Sequence, residues 1–376
     1  MRLLAAEREA CDRLLPGLDG KLASIPLLEL EAPGSPGIDL FRDAGGAGLL
    51  IPEMYGGGGA SALDAVRVTR ALAVRSPSLA VATTMHQFSV ASLVALAASS
   101  DGLEWMLLDG VARDRRLMAS GFAEGRTSQS ILAPTMKGVW DGANWRVSGR
   151  KQPCSLSRSM DLLTASVTLE HPEEGVRTAI ALIPAAAPGI RIEPFWGSWA
   201  LAGAESDTVI LEDVEVHPDL IVELKAGLDG ELDDLQTLGF VWFELLVTAC
   251  YLGVAQALTE RVLNGSRGAA DERTGLAMAV QGAALTLDGV ARNLDDGDGG
   301  NDGLARALIT RFTIADTIRS TVAKAVEVLG GMAFVGSPEV AYLAAASHAI
   351  GFHPPSRHSS ADALLGWFSG RPVVLD

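Results

Sequence analysis

The sequence predicts an α+β chain in three parts: an N-terminal α-helical domain over residues 1–116, a central antiparallel β-barrel or sandwich over 117–220, and a C-terminal helical bundle over 221–376. Two observations carry this. Long stretches with apolar residues at three- and four-residue spacing flank the middle of the chain. Between Leu117 and His217 that period gives way to short β-branched or alternating segments separated by Gly, Pro, Asn and Asp.

In chain order, SALDAVRVTRALAV (Ser61–Val74) and SLAVATTMHQFSVASLVALAAS (Ser78–Ser99) read as helices. Before them IPEMYGGGGAS (Ile51–Ser61) carries four consecutive glycines, which allow positive φ and close backbone approach and read as a flexible turn. The strand-like run comprises RLMASGFA, GVWDGANWRVSG, DLLTASVTL, RTAIALIPA, GIRIEPFW and SDTVILEDVEV. Helical pattern returns in FELLVTACYLGVAQALTERVL, AMAVQGAALTLDGVARNL and ALITRFTIADTIRSTVAKAVEVLGG. The interruption DDGDGGNDG (Asp295–Gly303) reads as a solvated loop between antiparallel helices, because it lacks the ligand spacing and closing Glu of a calcium loop.

At 376 residues, 48% hydrophobic and 20% charged, the chain has enough apolar material for a sizeable core. A net charge of -16 with no Lys/Arg cluster disfavours nucleic acid and anionic membranes and leaves small-molecule chemistry as the expectation. Cys11, Cys154 and Cys250 show no paired spacing, so neither a disulfide framework nor a metal cluster is expected. The first residues carry charges where a signal peptide would be apolar, which points to a cytoplasmic, non-membrane enzyme. Rossmann, P-loop, zincin and nucleophile-elbow signatures are absent from the sequence.

Seven segments, in this order, carry a family likeness: GLLIPEMYGGGGAS, SPSLAVATTMHQFSVASL, SGFAEG, WRVSGRKQPCSLSRSMDLLTASV, ESDTVILEDVEVHPDLIV, ELLVTACYLGVAQALTE and AVEVLGGMAF. Together they resemble the acyl-CoA dehydrogenase superfamily over most of the chain. The resemblance implies a flavin, FAD with FMN or reduced flavin as alternatives, held between the β domain and a C-terminal four-helix bundle. That bundle would also form the core of a homodimer or homotetramer. It implies Phe122, Ala123 and Glu124 beside the ring, Ser128 further along the same segment, and Cys154 and Ser155 at the pyrimidine and N5 side. Gln281, Glu327, Gly330 and Gly331 would take the places that reach the FAD diphosphate, with Arg267 or Arg273 as substitute cations.

The chain departs from that family where dehydrogenation needs a carboxylate base. The C-terminal position reads AIGFHPPSRHSSAD and offers no Glu, and at the alternative position Phe243 stands, with Glu244 one residue on. A one-residue slip turns a helical side chain by about 100°. The ending FHPPSRHSSADALLGWFSGRP is instead similar to flavin monooxygenases of the same fold, of the dibenzothiophene monooxygenase type. That likeness implies His353, with His358 as a second candidate, and His86 on an early helix, as imidazoles beside flavin C4a. Three functions follow as expectations. The first is a monooxygenase or oxidase-type flavoenzyme fed by a separate flavin reductase, or one that passes electrons to a separate acceptor. The second is an acyl-thioester dehydrogenase using Glu244, and the third a non-catalytic paralogue. Trp242, Phe243, Tyr251 and Phe352 are expected pocket walls.

Overall fold

The structure is a computed structural model that describes residues 2–99, 102, 104–125, 134–224 and 232–375. Its first part comprises α1 (Ala5–Leu14), α2 (Leu18–Ala23), α3 (Leu27–Leu30), α4 (Gly37–Asp43), α5 (Ala62–Arg75), α6 (Pro77–Ser99) and α7 (Glu104–Arg113). Eight strands follow: β1 (Met118–Gly121), β2 (Lys137–Trp140), β3 (Trp145–Cys154), β4 (Leu162–His171), β5 (Gly175–Pro184), β6 (Ile190–Glu193), β7 (Asp207–Val216) and β8 (Ile221–Glu223). The last part holds α8 (Asp234–Asn264), α9 (Ala270–Asp295), α10 (Asn301–Leu329), α11 (Gly331–Gly336), α12 (Pro338–Ser347) and α13 (Ala361–Phe368).

The expected closed barrel is corrected to one open sheet of order β6-β7-β3-β2-β4-β5-β8. Most neighbours are antiparallel, but β1 and β2 both run parallel to β4 and share the edge of it that β5 leaves free, at Leu162–Ala165 and Thr168–Glu170. Closure would need the end strands β6 and β8 to pair, and among the described residues they do not. The glycine loop is ordered rather than loose: the N–H groups of Gly58 and Gly59 donate to Gly48 and Ile51 carbonyls at 2.9 Å. Gly57 has no room for a Cβ, which would lie 2.1 Å from the Ile51 carbonyl oxygen.

Helix α8 is the spine. It packs against α5, α6, α9 and α10, and every residue from Leu245 to Thr259 is buried. A helix surrounded by protein has no polar face to keep, which is why α6 and α8 are apolar all round. Both are long and apolar enough to cross a bilayer, yet most of each is covered by neighbouring elements. At Gly253 a Cβ would meet Ala73 Cβ and the Arg70 carbonyl at 2.7 Å, so glycine lets α5 cross α8 in close contact. The C-terminal part supplies three long helices, and α5 packs on both α8 and α9 as the fourth long partner.

Buried polar groups tie the parts together. Arg70 on α5 donates to Glu7 on α1 at 3.0 Å and to Asp288 on α9 at 2.7 Å. Asp295, in the acidic interruption, accepts the first N–H groups of α5 from Ala62 and Leu63, and Asp298 pairs with Arg306, so these carboxylates serve packing. Glu31 follows α3 and accepts from the Ser76 hydroxyl at 2.5 Å, from the Ser78 hydroxyl at 2.6 Å, from the Ser78 N–H and from the Tyr342 hydroxyl on α12. Burial pushes the carboxyl above its ordinary value against the pull of those hydrogen bonds, and the N-terminus of α6 favours the charged form. Glu31→Ala would strand these buried donors. Urea unfolding should show a loss of roughly 3 kcal/mol, and a loss below about 0.5 kcal/mol would contradict the role.

Candidate active site

The site forms where the end of β1, the middle of α6, the start of α8 and the turn after α12 meet. Past β1 the chain runs through Phe122 and Ala123, both half-buried, and the Ala123 carbonyl accepts the Gln152 N–H at 2.9 Å. Glu124 is engaged by its neighbours in and beside the sheet. Its carboxylate accepts from Lys151 Nζ at 2.7 Å and from the Thr135 N–H at 3.0 Å, and fully buried Lys151 also donates to the Ser166 hydroxyl at 3.0 Å. Burial raises the Glu124 carboxyl, but the bonds from Lys151 and Thr135 outweigh it and hold the group below its ordinary value. Cys154 is buried, and that burial pushes its thiol up to about 12, so it is no nucleophile. Ser128 lies outside the described residues.

Ser155 Oγ sits 2.9 Å from Ser206 Oγ. Two hydroxyls carry two hydrogens and this contact uses one, so the buried pair keeps an O–H for an outside acceptor. A hydroxyl pair with one O–H to spare, close in the fold to the buried strand β1, fits the edge of a flavin ring, whose nitrogens and carbonyls accept hydrogen bonds. Sequence reasoning singled out Ser155 and missed Ser206, although it opens the SDTVIL strand segment.

Next to β1 lies an apolar cavity of about 50 Å³, lined by Phe88, Ser92, Leu96, Met118, Phe122 and Leu182 among others. Its hydroxyls are already engaged: Ser89 donates to the Met85 carbonyl, Ser92 to Phe88 and Thr164 to Ala119. From the cavity a chain of rings leads inward. Phe122 to Phe88 is 6.0 Å between centroids, Phe88 to Phe243 5.5 Å, Phe243 to His353 5.9 Å and His353 to Tyr251 5.4 Å.

His353 joins the far end of this chain of rings and is not itself among the residues lining the cavity. Its Nε2 lies 2.7 Å from the Tyr251 hydroxyl, and burial, with the Arg311 charge, lowers it to about 3, so the ring is neutral. His86 is different. Its Nδ1 accepts the Met118 N–H at 2.9 Å, which puts the proton on Nε2, donating to the Ala47 carbonyl at 2.9 Å. Burial lowers it to about 4, and both nitrogens are spent on joining α6 to β1 and to the turn at Ala47. His358 and Phe352 are exposed, and Trp242 is half-buried.

Glu244 is fully buried, with both carboxylate oxygens on Arg311 Nη1 at 2.7 and 2.8 Å. Burial pushes the carboxyl up to about 7 and the Arg311 charge pulls it back. The other Arg311 nitrogen donates to the carbonyls of His353 at 2.7 Å and Pro355 at 2.6 Å. The carboxylate proposed as a base is thus the anchor of a clamp on the turn that carries His353, a partnership across 67 residues that sequence spacing does not reveal.

None of the places expected at a flavin diphosphate hydrogen-bonds to the Ser155–Ser206 pair among the described residues. Gln281 and Glu327 are exposed, the latter accepting from Lys324 at 3.1 Å. Gly330 has φ +84, and Arg267 fills the space beside it while donating to the Leu329 carbonyl at 2.8 Å. Gly331 has nothing near its Cβ direction, and Arg273 donates to the Leu263 carbonyl at 2.7 Å.

Residues 29–106 match the family model of the acyl-CoA dehydrogenase N-terminal domain. The chain is 50% identical to isobutylamine N-hydroxylase of Streptomyces viridifaciens over 100% of both chains. Among solved structures, nitrososynthase from Micromonospora carbonacea var. africana superposes with a TM-score of 0.82 at 20% identity, covering 97% of each chain. FMN-bound TdsC from Paenibacillus sp. A11-2 gives 0.81 at 17% identity, covering 100% of this chain and 99% of that one. Those two likenesses establish the shared fold, and the identity that runs from end to end establishes kinship. The chain belongs to the flavin-dependent monooxygenases built on the acyl-CoA dehydrogenase fold, the family of isobutylamine N-hydroxylase.

Proposed function

We propose that this chain N-hydroxylates a small aliphatic primary amine. The observation that carries the reading is the end-to-end half identity with isobutylamine N-hydroxylase. The site supports it: the carboxylate nearest the dehydrogenase base position is consumed by Arg311, and the cavity is small and apolar. Reduced flavin, when bound, supplies two electrons and two protons, so that one atom of dioxygen enters the amine as N–OH and the other leaves as water. The chain's own residues do the rest. The Ser155–Ser206 pair binds the ring edge, and Phe88, Leu96 and Leu182 hold the alkyl chain and exclude water. His353 offers a neutral imidazole to the reacting face. No acidic side chain is among the described cavity-lining residues, so the amine is taken as the free base, whose lone pair is the nucleophile.

FMN is favoured over FAD. The positions that would meet an FAD diphosphate include the acid Glu327, and none of Gln281, Glu327, Gly330 or Gly331 joins the Ser155 cluster by a hydrogen bond among the described residues. A flavin taken up reduced calls for a separate reductase as partner. We place self-association on the outward face of α9, where Met278 and Leu285 are exposed and Gly275, Gly282 and Gly289 leave open space between them. This face would make a homodimer or homotetramer, and three buried free cysteines suit a cytoplasmic setting.

Supplied with FMN, a flavin reductase and NADH, the protein should convert isobutylamine to its N-hydroxy product and leave a saturated acyl-CoA untouched. Anaerobic bleaching of bound flavin by an acyl-CoA would overturn the reading. Leu96→Ala removes roughly three carbons from the cavity wall. It should raise the kcat/KM ratio of hexylamine to isobutylamine by about tenfold or more, measured by competition; an unchanged ratio would remove Leu96 from the alkyl site.

A further inference from the structure

We propose that Tyr251 is a positioning residue that fixes the tautomer of His353: its hydroxyl donates to Nε2, so the imidazole carries its proton on Nδ1 and presents that N–H to the site. The inference rests on the proposed monooxygenase site for its purpose, but its geometry stands alone. Tyr251 is fully buried, and its hydroxyl has one hydrogen-bond partner among the described residues, His353 Nε2 at 2.7 Å. Were Nε2 the donor, the phenolic hydrogen would be buried without an acceptor, at a cost of roughly 1–3 kcal/mol. With Tyr251 donating, both groups are satisfied, and Nδ1, which bonds to no described residue, holds the free N–H.

The protonation balance agrees. Burial pushes the Tyr251 phenol well above its ordinary value while His353 is lowered to about 3, so neither a phenolate nor an imidazolium forms near neutrality. The groups that face His353 are Tyr251 and Phe243 on α8 and Arg311 on α10, with Glu244 behind Arg311, and Arg319 approaches the turn at Gly351. Arg311 supplies the second half of the device. By gripping the His353 and Pro355 carbonyls it sets the height of the turn, so that ring position and proton position are fixed by different residues. Sequence reasoning placed Tyr251 only as a pocket wall.

Nitrogen-15 NMR of the histidine-labelled protein without flavin tests this directly, with His353→Asn assigning the signal. The wild type should show a protonated Nδ1 and a bare Nε2, and Tyr251→Phe should show a mixture of the two tautomers. A protonated Nε2 in the wild type, or an unchanged pattern in Tyr251→Phe, would overturn the proposal. Loss of a donor to the neutral imidazole also raises its pKa, so the acid limb of the Tyr251→Phe kcat profile should move to higher pH. The same variant should lose at least about tenfold in kcat with little change in amine KM. Should Tyr251→Phe fail to fold, the wild-type spectrum still decides. Should the NMR pattern hold while no amine is hydroxylated, the functional reading fails and the tautomer assignment stands.

Discussion

The buried pair of Glu244 and Arg311 is the constraint on which the active site depends. A carboxylate and a guanidinium, exposed by 0% and 2%, sit at the junction of α8, α10 and the turn after α12. Removing one partner of such a pair costs roughly 3–5 kcal/mol because the other is left charged in the interior. The pair therefore holds its place, and two consequences follow. Glu244 has both carboxylate oxygens engaged by Arg311. Arg311, its charge balanced, has donors left for the carbonyls of His353 and Pro355 and pins that turn to the helices. One interaction thus both occupies the carboxylate nearest the expected base position and holds the turn that carries His353.

Around this junction the molecule separates apolar filling from polar fastening. Helix α8 fills the centre and is covered by five other helices, α5, α6, α9, α10 and α12, while the fasteners sit at its flanks. Arg70 joins α1, α5 and α9, and Glu31 joins the N-terminus of α6 to Tyr342 on α12, whose hydroxyl in turn accepts the Leu201 N–H at 2.8 Å. His86 fastens α6 to β1 in the same way. The catalytic cavity lies between fastened elements, so Phe88, Phe122 and Phe243 are held by backbone that is tied down elsewhere. A site built on helices and strand ends keeps its geometry better than one built on loops.

Most of the fold was legible because period and turn chemistry are local: the change from helical to strand pattern near Leu117 is where β1 begins, while the sheet runs on through β8 (Ile221–Glu223) and α8 starts at Asp234, nine residues before the periodic stretch from Phe243. That the sheet stays open was not legible, since pairing between strands as far apart as β6 and β8 is a long-range property that no short window contains. The site was legible by residue type and not by role. Ser155 pairs with Ser206 and His353 with Tyr251, whereas His86 has both ring nitrogens taken by backbone and Glu124 bonds to buried Lys151. A hydrogen-bond partner decides the role a histidine can take, and the partners of the His86 and His353 side chains lie 32 to 102 residues away. Ser206 and Tyr251 were missed as partners for the same reason.

The central claim is that oxygen from dioxygen is placed on an amine nitrogen. Its most direct test is a single-turnover reaction of the protein with reduced FMN and isobutylamine under oxygen-18 gas, followed by mass spectrometry of the product. The account predicts one labelled oxygen in the N-hydroxy amine and label in water for the other atom. An unlabelled hydroxylamine, or consumption of oxygen entirely to hydrogen peroxide with the amine unchanged, would contradict it.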